Sequence, residues 1–322
     1  MTEPVLNNAF ETDQMRVAAA AGLAIIDAPP IEVTPIHRGN RKQTAIARFG
    51  RREPVVVQTA SAQSQLETEA ALLEQIRQRT AVPVPQVLAT GTRGDTAYLL
   101  TSYVAGQDLH KQFTTLTSAS QRTLAAWFGR ALAHLHDAFS FDGYGQLTVS
   151  DKTLSADTAE WEPWFREFAD QALKDLPAAF DPVRNELAGL FNDASIDSST
   201  ESRLFPWDFR PGNALIVDES VTAVVDWEAP LAAPPALAVA KSQYLMSDWY
   251  VDDPEPLRTA FKNGYTDIRT YPTIRPVHRA VAIAASAVDS TGVVTNPHYP
   301  PLNSDEAIAF HLNALETVLH DT

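Results

Sequence analysis

Apolar positions recur at helical spacing over residues 10–27 and stop at Pro29-Pro30, which predicts a short helix. Three strand-like pieces follow, Ile31–Ile36, Gln43–Phe49 and Pro54–Gln58. A turn at Gly39-Asn40 and a basic hairpin at Gly50-Arg51-Arg52 divide them. Leu66, Ala70, Leu73 and Ile76 then share one face of a helix over Leu66–Arg79. After Pro83 and Pro85 the period returns to two, giving strands at Gln86–Thr90 and Thr96–Tyr103, before Gly106 breaks the chain.

Beyond Gly106 the spacing is mostly helical. Ala119–Phe139 is long and amphipathic, with Leu124, Phe128, Ala131, Leu135 and Phe139 on one stripe. Further helices are expected at Thr158–Leu176 and Pro182–Asp193, and near 234–250, 254–264, 275–289 and 304–319. A short strand-rich insert at 203–227 interrupts them. The expected class is α+β. Residues 1–104 form a small antiparallel-sheet lobe with one main helix and a leading helix, and residues 105–322 a larger helical lobe. The cleft between two such lobes is a preferred place for a ligand.

Composition narrows the functions this fold can serve. The 322 residues carry a net charge of −15, which opposes nucleic-acid binding, since phosphate backbones need clustered Lys and Arg. Basic residues are lopsided, 19 Arg against 6 Lys, on an acidic surface suited to solubility. With no cysteine there is no disulfide, thiolate metal site or cysteine nucleophile, in agreement with a cytoplasmic protein. No run of eighteen apolar residues is present, so no membrane span is expected. Residues 17–26 have the apolarity of an export-signal core, but Glu3, Glu11 and Asp13 precede them and only Arg16 is basic; a buried helix is the better reading.

The chemistry concentrates in Leu204–Glu228. Asp208 is followed five residues later by Asn213, then by two short strands around a turn at Asp218-Glu219-Ser220, and Asp226 leaves the second strand. Such a loop sets one carboxylate beside a hydroxyl nucleophile, while an amide oxygen and a second carboxylate face each other across a hairpin. Phosphoryl transfer needs these parts: a residue to orient the hydroxyl, and hard oxygen ligands for magnesium. As ordinary turn residues the three would be unremarkable singly, but their joint spacing between strand-like runs argues for a site.

These residues resemble the aminoglycoside phosphotransferase and choline kinase-like family, relatives of the protein kinases, whose loop reads approximately H-G-D-x-x-P-x-N before a strand pair ending in I-D-W-E or I-D-F. Val82–Leu88 resembles that family's fourth-strand approach, Tyr98–Gly106 its hinge and Leu132–His136 its long helix, so the likeness spans about residues 30–250. The resemblance implies a protein-kinase-like two-lobe fold that binds ATP and magnesium. It places Asp208 on the catalytic Asp, and Asn213 and Asp226 on the metal ligands. The backbone of Ser102 and Val104 would bind adenine. Arg210 falls where protein kinases keep a Lys facing the transferring phosphate, a cation that would stabilise transition-state charge.

The pattern also breaks. Pro206-Trp207 stands where the loop's leading His or Arg is expected, and Gln58 where the third strand should end in the Lys that grips the phosphates and pairs with a helix Glu. Glu69 is the expected helix partner. Lys42, three residues after Gly39, is one substitute, since kinases without the strand-three Lys place a cation there. Alternatively Lys42 is one solvated base beside Arg38, Arg41 and Arg51.

The acceptor is expected to be a small molecule. Asp248-Trp249-Tyr250 with Asp252, Asp253 and Glu255 would suit a cationic one, or is simply a helix end with an exposed acidic turn. Glu228 is a further candidate to face the acceptor. His134 and His136 are given no role, and Trp161, Trp164, Phe165 and Phe168 read as helix packing. Two further classes compete with the enzyme reading: a catalytically impaired, kinase-like nucleotide-binding module, favoured by Gln58, and a protein kinase, opposed by the lack of an activation segment after Asp226.

Overall fold

The computed structural model describes residues 3–36, 42–61, 63–158, 160–194 and 200–321. Gly39-Asn40, the expected turn between the first two strand-like pieces, lies outside them.

The N-terminal lobe begins with α1 (Glu3–Leu6) and α2 (Asp13–Leu23), the latter capped by Thr12, whose side chain accepts from the Met15 N–H. Five antiparallel strands follow in spatial order β1-β2-β3-β5-β4: β1 (Glu32–Ile36), β2 (Gln43–Arg48), β3 (Val55–Ala60), β4 (Val87–Arg93) and β5 (Thr96–Ser102), with α3 (Gln63–Arg79) between β3 and β4. The period-two alternation assigns the two faces. Ala45, Ala47, Val55, Val57, Tyr98 and Leu100 pack with α2 in a core of their own. Ala60, Ala97 and Leu99 turn the other way, to α3 and the core shared with the helical lobe. One sheet therefore has two buried faces, and α3 with its acidic residue Glu69 is pinned on the inner one.

The helical lobe opens with β6 (Gln107–Asp108), α4 (Leu109–Gln112) and the long α5 (Ser118–Ala138), capped by Thr117. Its later helices are α6 (Trp161–Asp175), α7 (Asp181–Asp193), α8 (Pro235–Gln243), α9 (Glu255–Thr266), α10 (Pro276–Ala284) and α11 (Ser304–His320). Helices α5 and α9 approach so closely that a Cβ on Gly129 would lie 1.9 Å from the Phe261 carbonyl oxygen, and one on Gly264 1.9 Å from that of Ala126.

This lobe holds more strand than its spacing predicts. Besides β10 (Ser202–Phe205), β11 (Ala214–Val217) and β12 (Ser220–Val224), it contains β7 (Ser140–Phe141), the hairpin β8 (Tyr144–Ser150) and β9 (Thr153–Thr158), and β13 (Leu231–Ala233). These form a second five-stranded sheet in the order β7-β10-β13-β8-β9, beside a three-stranded sheet β12-β11-β6. The expected helix at 158–176 accordingly starts later, at Trp161, and the leading helix is confined to 13–23. Helix 234–250 is α8 continued by a π-helical turn, Tyr244–Asp248.

Candidate active site

The loop that carries Asp208 is held from below. Phe209 is buried against Phe128 of α5 (ring centroids 5.2 Å apart) and against Trp227 (6.0 Å), so the residue after Asp208 plugs the loop into the core. Trp227 is fixed in turn by its indole N–H, which donates to the Val224 carbonyl at 2.9 Å. Hairpin β11–β12 closes through Asp218 and Glu219, both in the left-handed region (φ 48° and 60°), a two-residue turn matched to the strand twist. Ala214 pairs with Val224, and the Val225 N–H donates to the Asn213 carbonyl at 2.8 Å. That hairpin sets Asn213 beside Asp226. Asp226 itself has φ 63°, a conformation a non-glycine residue keeps only where its surroundings over-determine it.

Asp208, Arg210 and Asn213 form one hydrogen-bonded unit. Arg210 Nε donates to Asp208 Oδ1 at 2.7 Å, and Asn213 Nδ2 donates to Asp208 Oδ2 at 3.0 Å and to its carbonyl at 2.9 Å. The Arg210 guanidinium lies over the Trp249 ring, 5.0 Å from its centroid. Burial pulls the Arg210 pKa down, but Asp208, Tyr250 and Asp226 around it together outweigh this and the net shift is upward. Arg210 thus clamps the Asp208 carboxylate, and Asn213 keeps its amide oxygen for another partner.

Lys42 closes the site from the sheet. Its ammonium donates to Glu69 at 2.8 Å and 3.1 Å, lies 2.8 Å from Asp226 Oδ1 and 3.8 Å from Glu228 Oε2, and the side chain is only 9% exposed. Burial alone would lower its pKa, but Glu69, Asp226 and Glu228 together raise it, and the group stays charged. The Asp226 contact is close without being an aligned hydrogen bond: Asp226 Oδ1 has no aligned donor. Register explains how Lys42 reaches here. Gln58 pairs with Thr44 of β2 and Leu99 of β5, and Lys42 precedes Thr44 by two residues, on the same face of the sheet as Gln58. Lys42, one residue ahead of β2, therefore lies on the face of the sheet that carries Gln58 and is ion-paired with Glu69. The solvated alternative for Lys42 does not hold in this structure.

A small crevice lined by Trp207, Asp208, Asp226 and Glu228, among others, joins the loop to the hairpin. Among the described residues no three His, Cys, Asp or Glu side chains are disposed to hold a metal by themselves. The donor set is instead one amide oxygen, at Asn213, and the Asp226 carboxylate with an oxygen lacking an aligned donor. That fits magnesium, which takes one or two protein oxygens and completes its shell with phosphates and water.

At the hinge, the Ser102 N–H donates to the Gln86 carbonyl at 2.8 Å and its hydroxyl accepts from the Gln86 N–H at 2.9 Å. Val104 follows directly, between the end of β5 and β6. The acidic group near 248 divides. Asp248 is ion-paired with Arg258, Trp249 and Tyr250 are buried, and the Tyr250 hydroxyl meets His110 Nδ1 at 2.9 Å. Asp252, Asp253 and Glu255 are exposed, as in the acidic-turn reading. A cavity of about 490 Å³ on that side is lined by Asp248, Arg258 and residues of α8 and α11, and Asp208 is not among its walls. His136 is buried and bonded to the Tyr265 hydroxyl at 2.8 Å. Sequence reasoning passed over Lys241 of α8, which is 3% exposed with its ammonium 3.5 Å from the Trp207 ring centroid. Its one signal was a lone Lys in the apolar run Ala236–Ala240.

A family model described as "Phosphotransferase enzyme family" matches residues 32–277. The chain belongs to that family. Its kinase-like fold is shared by solved structures. A thermostable mutant of aminoglycoside phosphotransferase APH(4)-Ia, in apo form, has a TM-score of 0.64 at 14% identity, over 91% of this chain and 95% of that one. A variant of that enzyme in ternary complex with AMP-PNP and hygromycin B scores 0.62 at 14% identity, over 92% and 96%. A candidate fructosamine-3-kinase from Haemophilus somnus scores 0.61 at 14% identity, over 94% and 99%. Comparison with curated proteins finds no match.

Proposed function

We propose that the protein transfers the γ-phosphoryl group of ATP to a hydroxyl of a small molecule, with magnesium. The observation that carries this is the Lys42 ammonium, which lies between Glu69 and Asp226 and so restores the cation absent at Gln58. A kinase-like scaffold retained only for its shape has no use for a buried cation at that point together with Asp208, Asn213 and Asp226.

In this reading Lys42 contacts the nucleotide phosphates, and Glu69 aims it. Gln58 lines the same face of the cleft without charge. Asn213 and Asp226 would hold magnesium, which when bound supplies positive charge to the phosphate oxygens. Asp208 accepts the proton of, or orients, the acceptor hydroxyl, and Arg210 directs its carboxylate. Since the Ser102 N–H is committed to Gln86, adenine contacts fall to the Ser102 carbonyl and the backbone of Val104. The working lobe boundary is 104/105.

The relatives in complex include AMP-PNP and hygromycin B, and support nucleotide and small-molecule binding. A cationic acceptor finds less support, because Arg258 already neutralises Asp248. A small-molecule partner rather than nucleic acid agrees with the net charge of −15, and a cytoplasmic setting with the absence of cysteine. Among the described residues no helix is long and apolar enough to cross a membrane. A screen of amino sugars, amino alcohols, sugars and nucleosides for magnesium-dependent ATP consumption tests the reading. Consumption that requires one acceptor class supports it. Binding of ATP without consumption by any acceptor would leave the nucleotide-binding module instead.

A further inference from the structure

Helix α8 follows Pro234 and is buried along its whole length. Lys241 is the one charged residue in it, and a Met or Leu would fill the same space without desolvating an ammonium. What surrounds the ammonium is meagre by the usual standard for a buried charge. It donates to the Ala285 carbonyl of α10's C-terminal end at 3.3 Å, and among the described residues no carboxylate forms an ion pair with it. Its remaining partner is the face of Trp207, 3.5 Å from the centroid. The same indole is held at its edges by Phe168 (6.0 Å, 87°) and Phe205 (6.1 Å, 48°). Trp207 immediately precedes Asp208, in the segment where Pro206-Trp207 replaces the loop-shaping His or Arg.

We propose that Lys241 is a positioning residue of the active site: its ammonium fastens Trp207 from the helix beneath and supplies positive charge behind the Asp208 carboxylate. The proposal rests on the phosphotransferase reading for its kinetic consequence, but not for the contact itself. The charged groups acting on Lys241 are Asp208, which favours the ammonium, and Arg210, which opposes it; α10 faces it with a carbonyl. Burial, with Arg210 and against Asp208, draws its pKa down to about 7. The folded pKa then lies below the unfolded value of 10.5, so between pH 7 and 10.5 the unfolded chain binds more protons and stability rises with pH. The ammonium itself is lost over the start of that window, so turnover falls as stability rises. A lysine that was buried there without acting on Trp207 and Asp208 would give the stability trend but not the fall in turnover.

The test compares wild type with Lys241→Met and Lys241→Arg. Thermal unfolding is followed from pH 6 to 9, with indole fluorescence over the same range and a Trp207→Phe control. Lys241→Met is expected to be at least as stable as wild type at pH 6 and to lack the wild-type rise in midpoint above pH 7. It should lower kcat by at least about tenfold with the ATP KM unchanged, while Lys241→Arg keeps turnover and flattens its pH profile. Wild type should show a near-neutral fluorescence transition that both Lys241→Met and Trp207→Phe abolish. Wild-type kcat in Lys241→Met, or no such transition in wild type, overturns the proposal. If wild type turns over no substrate, the phosphotransferase reading fails, and the fluorescence and pH-stability arms still decide the contact.

Discussion

Replacing Lys42 by Met removes a cation shared by three carboxylates, Glu69, Asp226 and Glu228. Glu69 is the critical one, because its side chain is 4% exposed and bonds Lys42 through both oxygens. Breaking a buried pair from one side strands the other charge and costs about 3–5 kcal/mol. At roughly 1.5 °C per kcal/mol for a chain of 322 residues, the unfolding midpoint should fall by about 4–7 °C. The double variant Lys42→Met/Glu69→Gln removes the stranded charge, and should recover most of the lost stability. Nucleotide affinity should not recover with it. A charge-assisted phosphate contact contributes about 1.5–3 kcal/mol, so both variants should bind ATP roughly 10–100-fold more weakly. Scanning calorimetry gives the midpoints, and titration calorimetry with AMP-PNP and magnesium gives the affinities. A Lys42→Met variant with wild-type midpoint and wild-type affinity would refute the reasoning, returning Lys42 to the solvated bases of that turn.

Two further outcomes follow from the geometry. Arg210→Ala should lower kcat at least about tenfold with little change in the ATP KM, since it acts on Asp208 rather than on the nucleotide; Arg210→Lys, which has neither the Nε–H that meets the carboxylate nor a planar group to lie over Trp249, should recover only part of the loss. Gly264→Ala should destabilise the helical lobe by at least about 1–3 kcal/mol in denaturant unfolding, because its Cβ meets the Ala126 carbonyl oxygen and both helices must move apart.

Much of this site was legible because its parts are local. Asp208, Asn213 and Asp226 lie on one loop and one hairpin, and the turn at Asp218-Glu219 that brings them together is itself encoded nearby. Lys42 was legible as a substitute only from its place three residues after Gly39 and the likeness to kinases without the strand-three Lys; the pairing of Thr44 with Gln58 that sets it on the same face is a contact between strands that the sequence does not state. What escaped depended on contacts between distant segments. The direction of Arg210 is set by Trp249, thirty-nine positions away in the chain numbering, and the neutrality of the 248 region by Arg258. Lys241 was invisible as a site residue because a helix pattern states which face is apolar, not that an indole waits across from its single charge. The β8–β9 hairpin was missed for a different reason. Its outward positions Gln146, Thr148 and Ser150 and its Asp151-Lys152 turn carry weaker strand and hairpin signals than Asn-Gly between β-branched runs.

A magnesium-dependent nucleotide site built on Asp226 is tested most directly by titrating AMP-PNP, with and without magnesium, into wild type and Asp226→Ala. Magnesium should strengthen binding to wild type at least about tenfold and have no effect on a folded Asp226→Ala. Equal magnesium dependence in the two proteins, or no binding by wild type, would contradict the account.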